Sequence, residues 1–222
     1  MKSRRLPIID KNSWISSRVK GSRVIHVGCT DWPMTEKRIH ADELLHKHLC
    51  VSSSKCVGID LDKEGIAKLR ELMPKQEFHE LNAEQLQDHP ELTTNEWDFI
   101  VAGDVVEHMN NPGNFFESAR RLLNGGGTLM VTVPHTFSAK RFFWMLFTGI
   151  EQVHPDHTAY FSESTLKQIG DRHGFVIEKM YGFQWKNPTF KNRISNLLSL
   201  PCLWLTRGRC VDELAVEFKL VD

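Results

Sequence analysis

Residues 97–134, WDFIVAGDVVEHMNNPGNFFESARRLLNGGGTLMVTVP, decide the fold. Their first part, 97–102, is a short apolar run that predicts a buried strand. An amphipathic helix is predicted over 112–123, and the glycine-rich turn 124–127 is expected to end it. A second apolar run at 128–133 predicts another strand. A strand, a helix and a strand in this order indicate two parallel strands joined by a helical crossover.

The same alternation of strand and helix patterns continues on both sides of this segment. It predicts a doubly wound, Rossmann-like α/β fold, in which a seven-stranded and mostly parallel sheet has helices on both faces. A chain of 222 residues suits a single domain over 1–222. The further predicted elements are strands at Arg23–Val27, Lys55–Asp60, 77–81, 175–180 and Glu213–Leu220, and helices at 35–49, 63–73 and 164–173.

Composition excludes several classes of protein. Lys and Arg total 28 and so do Asp and Glu, which argues against general nucleic-acid binding. The five cysteines include no CxxC pair, so neither a disulfide framework nor a thiolate zinc site is expected. The sequence has no signal-peptide pattern and no apolar run long enough to cross a bilayer. We therefore expect a cytoplasmic protein.

Two apolar segments interrupt the regular pattern. Residues 135–160 are interpreted as a lid insertion with a helix near 135–149, because such insertions after the fifth strand often cover a substrate. Six consecutive apolar residues at 142–147 exceed what one buried helix face needs. They favour an apolar substrate pocket, a homodimer contact or peripheral membrane contact, and a buried cap helix is the alternative. Residues 186–212 form a second, variable apolar segment, in which Pro201 is expected to break a helix.

Three positions at predicted strand ends suit a nucleotide-like ligand. Gly28 follows the first strand, where the absence of a side chain lets a ligand approach the backbone. Asp60 ends the second strand, and a carboxylate there accepts hydrogen bonds from ribose hydroxyls. Asp62 is the better cap for the next helix, which leaves Asp60 free for a ligand. Asn82 has the donor and acceptor that an adenine edge requires, although a plain turn or loop explains Gly28 and Asn82 equally well.

The order of motifs in 97–134 resembles the second half of class I S-adenosylmethionine-dependent methyltransferases, especially the ubiquinone-biosynthesis-type O-methyltransferases. These motifs are the apolar strand, Gly-Asp-Val-Val-Glu-His at 103–108, an Asn-Pro helix start, Leu-Leu-Asn-Gly-Gly-Gly, and an apolar strand ended by Pro134. The resemblance covers about residues 23–179 and implies that the cofactor is S-adenosyl-L-methionine. The cofactor-binding residues that it implies are Val27, Gly28, Cys29, Asp60, Leu61, Asn82, Ala83, Gly103, Asp104 and Val105.

The cofactor turn departs from the pattern of the family. That pattern is acid-x-Gly-x-Gly-x-Gly, whereas the matching residues here are His26, Gly28, Thr30 and Trp32. The acid and two of the three glycines are therefore absent. This departure supports a second interpretation, in which the protein kept the fold but lost the cofactor and is not catalytic.

Histidines are the candidate catalytic residues. His108 follows the fourth strand, at the sheet edge where parallel sheets form active sites, so it is placed to act as a general base. His157 is expected to face it across the cleft. The spacing of Asp104, Glu107 and His108, with a distant His157, also resembles the metal site of small-RNA 2′-O-methyltransferases. A purely structural role is the third interpretation of these histidines.

The predicted function is transfer of a methyl group to an oxygen or nitrogen of a small-molecule, glycan or lipid-linked substrate. The cofactor supplies the reactive methyl group, and the protein positions the two reactants. A metal-dependent RNA 2′-O-methyltransferase is a narrower alternative. A nicotinamide-dependent oxidoreductase fits less well, because the turn after the first strand lacks the Gly-x-Gly-x-x-Gly pattern.

Overall fold

Seven strands form one sheet in the part of the chain that the computed structural model describes, which comprises residues 5–31, 33–93, 96–185 and 190–221. Trp32 and residues 186–189 of the predicted variable segment lie outside these ranges. The strands are β1 (Arg23–Val27), β2 (Lys55–Asp60), β3 (Glu77–Glu80), β4 (Trp97–Gly103), β5 (Leu123–Pro134), β6 (Phe175–Phe183) and β7 (Glu213–Leu220).

Helices fill most of the connections between the strands. They are α1 (Lys11–Arg18), α2 (Thr35–His40), α3 (Leu45–Ser52), α4 (Lys63–Leu72), α5 (Pro90–Thr93), α6 (Pro112–Leu122), α7 (Ala139–Thr148), α8 (Glu163–Arg172) and α9 (Phe190–Leu205), with 3-10 turns at Ala83–Asp88 and Val106–His108.

The strand order is β3-β2-β1-β4-β5-β7-β6. The neighbours from β3 to β5 are parallel, whereas β7 is antiparallel to both β5 and β6. The predicted mostly parallel, Rossmann-like sheet is therefore confirmed. The order in which successive strands are added to the sheet reverses between β1 and β4, and a crevice opens at the carboxyl ends of the strands at such a switch point.

The predicted helix over 35–49 was wrong, because two helices replace it. α2 ends at His40, and Asp42 adopts a left-handed conformation with φ 57°. The chain then turns back through a hydrogen bond from the Glu43 amide to the Arg38 carbonyl at 2.8 Å. α3 starts afresh at Leu45. The turn brings α3 back against the sheet, where its His46 and Leu49 are buried.

Two other predicted helix ends were wrong. Helix α6 ends at Leu122, and the glycine run that was expected to end it belongs to β5, which already pairs with β4 at Leu123. Helix α9 continues through Pro201, which was expected to break it. A proline inside a helix removes its own amide donor and crowds the carbonyl four residues earlier, and this helix nevertheless continues to Leu205.

The sheet is buried on both faces. The larger apolar cluster packs one face of β4 and β5 against α6 and α8 and contains Trp97, whose indole N–H donates to the Leu92 carbonyl at 2.9 Å. A smaller cluster on the other face contains residues of α1 and α3. This packing fixes the strand ends, so the loops that leave them are held in place.

Candidate active site

A cleft of about 700 Å³ opens at the carboxyl ends of β1, β2 and β4. It is lined by all ten residues that the sequence predicts as cofactor ligands: Val27, Gly28, Cys29, Asp60, Leu61, Asn82, Ala83, Gly103, Asp104 and Val105. His108 and His154 also line it. Protein pockets that bind small molecules commonly have a volume of this order.

Gly28 is required by the geometry of the turn after β1. Its φ is 73°, in the left-handed region that favours glycine. A Cβ at this position would lie 2.2 Å from Cγ2 of Val105, in the loop that follows β4. The turn after β1 and the loop after β4 are therefore in direct contact, and a side chain would force them apart.

The carboxylate of Asp60 binds the same turn. Its Oδ2 accepts hydrogen bonds from the amide of Thr30 at 3.0 Å and from the Thr30 hydroxyl at 2.8 Å, and its Oδ1 accepts from the Asp62 amide at 3.0 Å. Thr30, which stands where the family pattern has a glycine, adds its hydroxyl to the donors that bind Asp60. The two hydrogen bonds from Thr30 use both lone pairs of Oδ2, whereas Oδ1 keeps a second lone pair for a ligand.

Asp62 has the role that the sequence predicts for it. Its side chain caps α4 by accepting hydrogen bonds from the amides of Glu64 at 3.1 Å and Gly65 at 3.2 Å. The two neighbouring acids therefore have different positions: Asp62 caps and stabilises the helix, and Asp60 faces the cleft.

Asn82 begins the 3-10 turn beside β3, and its side-chain oxygen accepts from the Glu84 amide at 2.9 Å. Glu84 in turn accepts hydrogen bonds from the amides of Asn110 at 2.9 Å and Asn111 at 3.2 Å. The rim of the cleft at Asn82 is thereby joined to the loop that carries His108. Leu61, which follows the neighbouring strand β2, is 66% exposed.

The floor of the cleft contains a lysine that contacts two carboxylates, an arrangement that no sequence pattern predicted. Lys11 of α1 donates to Oδ2 of Asp104 and lies 3.0 Å from Oε2 of Glu213 in β7. Thr132 donates from its hydroxyl to the other Asp104 oxygen at 2.9 Å. Burial alone would lower the pKa of Lys11, but the two carboxylates outweigh it and raise that pKa. Lys11 is therefore a permanent cation beside the cleft, and no residue pattern around it predicted α1.

Glu107 is buried and chemically unusual. Its side chain is 1% exposed, and neither carboxylate oxygen has a hydrogen-bond partner among the described residues. Burial, and then the charge of Asp104, raise the pKa of Glu107 to about 8. Its backbone carbonyl accepts from the Thr158 amide at 2.9 Å, which ties residues 154–159 to the turn that carries His108. Glu107 is therefore a neutral acid near pH 7 behind the cleft, rather than a residue of its lining.

Three histidines come together at the mouth of the cleft. The rings of His108 and His157 are perpendicular with centroids 4.5 Å apart, and His154 lies 5.7 Å from His108. One ring nitrogen from each lies within 4.8 Å of the other two. The predicted pair, His108 and His157, is thus accompanied by His154, whereas Asp104 and Glu107 are outside this cluster.

The rings of His108 and His157 favour their neutral form. Burial lowers the pKa of His108, and the nearby His154 lowers it further. Burial and then His108 lower the pKa of His157 in the same way. A neutral imidazole can accept a proton or bind a metal ion, so the cluster is chemically able to do either.

The predicted lid contains a helix, α7, that is largely exposed, contrary to the alternative of a buried cap helix. Ala139 is the buried residue of α7, whereas Phe142, Leu146 and Phe147 are 55%, 61% and 71% exposed. Helix α7 packs against α9, whose Trp204 is 76% exposed. None of the helices among the described residues is long and apolar enough to cross a membrane.

Comparison with known proteins gives a consistent family. The family model described as a methyltransferase domain matches residues 10–180. The chain is 20% identical to a ubiquinone biosynthesis O-methyltransferase from Aeromonas salmonicida over 78% of this chain and 71% of that protein. It is 28% identical to a probable S-adenosylmethionine-dependent methyltransferase from Mycobacterium tuberculosis over 60% of this chain but only 44% of that protein.

A solved structure supports the same fold. The S-adenosylmethionine-dependent methyltransferase from Mesorhizobium loti superposes with a TM-score of 0.59 at 17% identity, and the match covers 94% of this chain and 97% of that one. At this identity the likeness concerns the fold alone.

Proposed function

The chain belongs to the methyltransferase-domain family and is an S-adenosylmethionine-dependent enzyme, and from this premise we propose that it methylates a hydroxyl oxygen of a small, partly apolar acceptor. The observation that carries the proposal is the position of His108. This ring lines the cleft beside the loop of Gly103–Val105, lies against His157, and favours its neutral form because burial lowers its pKa.

The residues present fit the cofactor. A carboxylate at Asp60, an amide at Asn82 and an open backbone turn at Gly28 line one cleft of suitable volume. In this proposal, Asp60 binds the ribose, Asn82 and Ala83 the adenine, and the turn at Gly28 with the loop at Asp104 the amino-acid part. Bound S-adenosylmethionine supplies an electrophilic methyl group on a sulfonium.

His108 then acts as a general base. Its neutral imidazole would accept the proton of the acceptor hydroxyl as that oxygen takes the methyl group, with the methyl–sulfur bond breaking and S-adenosylhomocysteine leaving. Because His157 and His154 lie against His108, they fix the orientation of its ring. Positioning of the acceptor oxygen in line with the methyl group is the main contribution that the protein makes to the rate.

The lid supports an acceptor with apolar parts. Exposed aromatic and aliphatic side chains of α7 follow directly after β5, the strand next to the loop that carries His108. Arg141 at the base of this helix has a buried guanidinium nitrogen, Nη1, without a hydrogen-bond partner among the described residues. It would bind a polar or anionic group of the acceptor. The name of the Aeromonas relative agrees with O-methylation of a small molecule.

The test combines ligand binding with product analysis. Calorimetry with S-adenosylhomocysteine should show binding, and a panel of phenolic, aliphatic-hydroxyl and amine acceptors with labelled cofactor should give a labelled methyl ether. Absence of binding at millimolar S-adenosylhomocysteine, together with identical calorimetry of the wild type and Asp60→Ala, would contradict the assignment of this cleft to the cofactor. A labelled N-methyl product from amines alone would overturn O-methylation.

A second candidate function adds a divalent ion at the histidine cluster. The observation that favours it is the approach of three imidazole nitrogens to within 4.8 Å of one another. An ion there would activate the acceptor hydroxyl directly. Activity that disappears after chelation and returns with added Mg²⁺, Mn²⁺ or Zn²⁺ supports this candidate, whereas activity insensitive to chelators supports His108 as the base.

A further inference from the structure

A second cluster of potential ligands lies between helix α3 and strand β2, beside His26 of β1. His46 and Cys50 are four residues apart on α3 and therefore share one helix face. Cys56 is the second residue of β2, next to α3 in the fold. His46 Nε2 lies 3.2 Å from Cys50 Sγ, and His46 Nδ1 lies 4.0 Å from Cys56 Sγ. One ligand atom from each residue lies within 4.8 Å of the other two.

The distances suit coordination of a soft metal ion. With metal–sulfur and metal–nitrogen bonds of about 2.3 and 2.0 Å at a tetrahedral angle, the sulfur and nitrogen ligands of zinc are about 3.5 Å apart. The observed separation of 3.2 Å between Cys50 and His46 is close to this value. Only small side-chain adjustments are therefore needed to place the three ligands around one ion.

His26 supplies the outer hydrogen bond that a metal-binding histidine usually makes. Its Nδ1 lies 3.1 Å from Nδ1 of His46, and the two rings stack with centroids 5.3 Å apart. If His46 donates from Nδ1 to His26, its Nε2 carries no hydrogen and is available for a metal.

We propose that His46, Cys50 and Cys56 form a binding site for a thiophilic cation such as Zn²⁺. On binding, the two thiols release their protons to solvent, and the resulting two thiolates balance the charge of the ion. The neutral imidazole is the third ligand. Cys50 is only partly buried, so water can occupy the fourth position.

The surroundings support a metal rather than an ordinary core contact. His46 is completely buried, and its ring contacts Phe78 at a centroid distance of 5.0 Å. Both ring nitrogens of His46 lie beside a potential partner, Nδ1 beside His26 and Nε2 beside Cys50, so the apolar site contains a connected set of metal-ligand groups.

The expectation of no thiolate zinc site considered only CxxC pairs. The ligands here have the spacing His-x₃-Cys-x₅-Cys, across a helix, a turn and a strand. Helix α3 reaches the sheet because the chain turns back at Asp42, and that turn was not predicted from the sequence.

A metal at this position would connect α3 to the cofactor cleft. His46 and His26 both line the cleft wall, beside the turn that contains Gly28. The ion would therefore fix α3 against β2 behind this wall. The proposed metal site does not depend on the methyl acceptor or on His108. The metal site and the proposed O-methylation can therefore be disproved separately.

The experiment uses the full chain, freed of metal with a chelator and kept reduced. Titration with Co²⁺ should give one equivalent of a species with thiolate-to-cobalt charge-transfer absorption, and Zn²⁺ should displace it. Cys50→Ser and Cys56→Ser should each lose this absorption, whereas Cys210→Ser, a matched control outside the cluster, should keep it. Zn²⁺ should raise the melting temperature of the wild type and of Cys210→Ser but not of Cys50→Ser.

Other outcomes would contradict the proposal. One is a folded, fully reduced wild type without charge-transfer absorption. Another is equal loss of the absorption in Cys210→Ser. Mass spectrometry after alkylation distinguishes metal binding from a redox role of the two cysteines. If a Cys50–Cys56 disulfide forms readily in air and the reduced protein binds no Co²⁺, the two cysteines are a redox-active pair and the metal site is excluded. His46→Gln, which leaves both thiols in place, should weaken Co²⁺ binding at least tenfold if the imidazole is a ligand.

Discussion

The carboxylate of Asp60 accepts two hydrogen bonds from Thr30, one from its amide at 3.0 Å and one from its hydroxyl at 2.8 Å. The residue proposed to bind the ribose therefore also stabilises the cofactor turn. Because the two hydrogen bonds from Thr30 use both lone pairs of Oδ2, a bound ribose would use Oδ1. Asp60 is thus expected to affect both cofactor affinity and local structure, which the first prediction separates.

Asp60→Ala should weaken S-adenosylhomocysteine binding by tenfold or more, about 1.4 kcal/mol, because a charged hydrogen-bond acceptor is lost. Asp62→Ala is the matched control, since it removes the cap of α4. It should destabilise the fold by about 1 kcal/mol and leave the affinity nearly unchanged. Calorimetry and urea unfolding of both variants provide the check, and equal loss of affinity in the two would contradict a ribose contact at Asp60.

Gly28→Ala should destabilise the protein by about 2 kcal/mol or more and reduce cofactor binding. The new Cβ would meet Val105 at 2.2 Å and would add strain at a φ of 73°. Gly21→Ala has nearly the same φ, 71°, but its Cβ would meet no described atom within 4 Å. Only the strain, about 1 kcal/mol, should appear there.

The double variant Gly28→Ala with Val105→Ala tests the origin of this effect. If the contact with Val105 causes most of the loss, the second substitution should recover part of the free energy of unfolding. No recovery, or equal destabilisation by Gly21→Ala, would show that backbone strain alone is responsible.

Glu107→Gln should stabilise the protein at neutral and slightly alkaline pH. The folded-state pKa of Glu107 is raised from 4.5 to about 8, so the unfolded chain loses its proton first as the pH rises. Below pH 4.5 the carboxyl group of Glu107 is neutral in both the folded and the unfolded chain and does not change the stability. Between pH 4.5 and about 8, the free energy of unfolding of the wild type should fall by at most about 1.4 kcal/mol per pH unit. Glutamine does not titrate and should remove this slope. Urea unfolding across the range measures it, and identical slopes in the two proteins would refute a raised pKa.

His108→Gln should lower kcat by about 10²- to 10⁴-fold, the usual contribution of a general base, without changing the affinity for S-adenosylhomocysteine. His89→Gln, outside the cleft lining, is the control and should retain activity. Wild-type kcat should rise with pH through the pKa of His108, which is lowered from its ordinary value, and then remain level. A His108→Gln enzyme with wild-type kcat would eliminate this residue as the base.

Replacing Leu146 and Phe147 by serine should raise KM for the acceptor and leave the free energy of unfolding within about 0.5 kcal/mol, because both side chains are mostly exposed. Val51→Ser, an 82% exposed position on α3, is the control for loss of an exposed apolar side chain. Light scattering of the same variants tests the homodimer interpretation, and vesicle sedimentation tests membrane contact. An unchanged KM would mean that this face does not contact the acceptor.

The strands and the cleft lining were predictable because their signals are local. Apolar runs identify buried strands, and the ends of parallel strands meet at one edge, so Gly28, Asp60 and Gly103 had to lie near one another. The pairing of Lys11 with Asp104 and Glu213 joins residues 93 and 202 positions apart and leaves no periodic pattern. His46 was likewise hidden within a predicted single helix, since one non-glycine residue with positive φ, Asp42, redirects the chain.

Lys11 has a practical consequence for work with this protein. Its helix precedes the first strand, yet its ammonium group contacts the cleft floor at Asp104. A shortened variant that starts at β1 would lack Lys11 and would therefore lose one of the residues that line the cleft. A purification tag fused close to α1 would alter the same part of the cleft. Binding constants should therefore be measured on untagged protein or on protein tagged after β7.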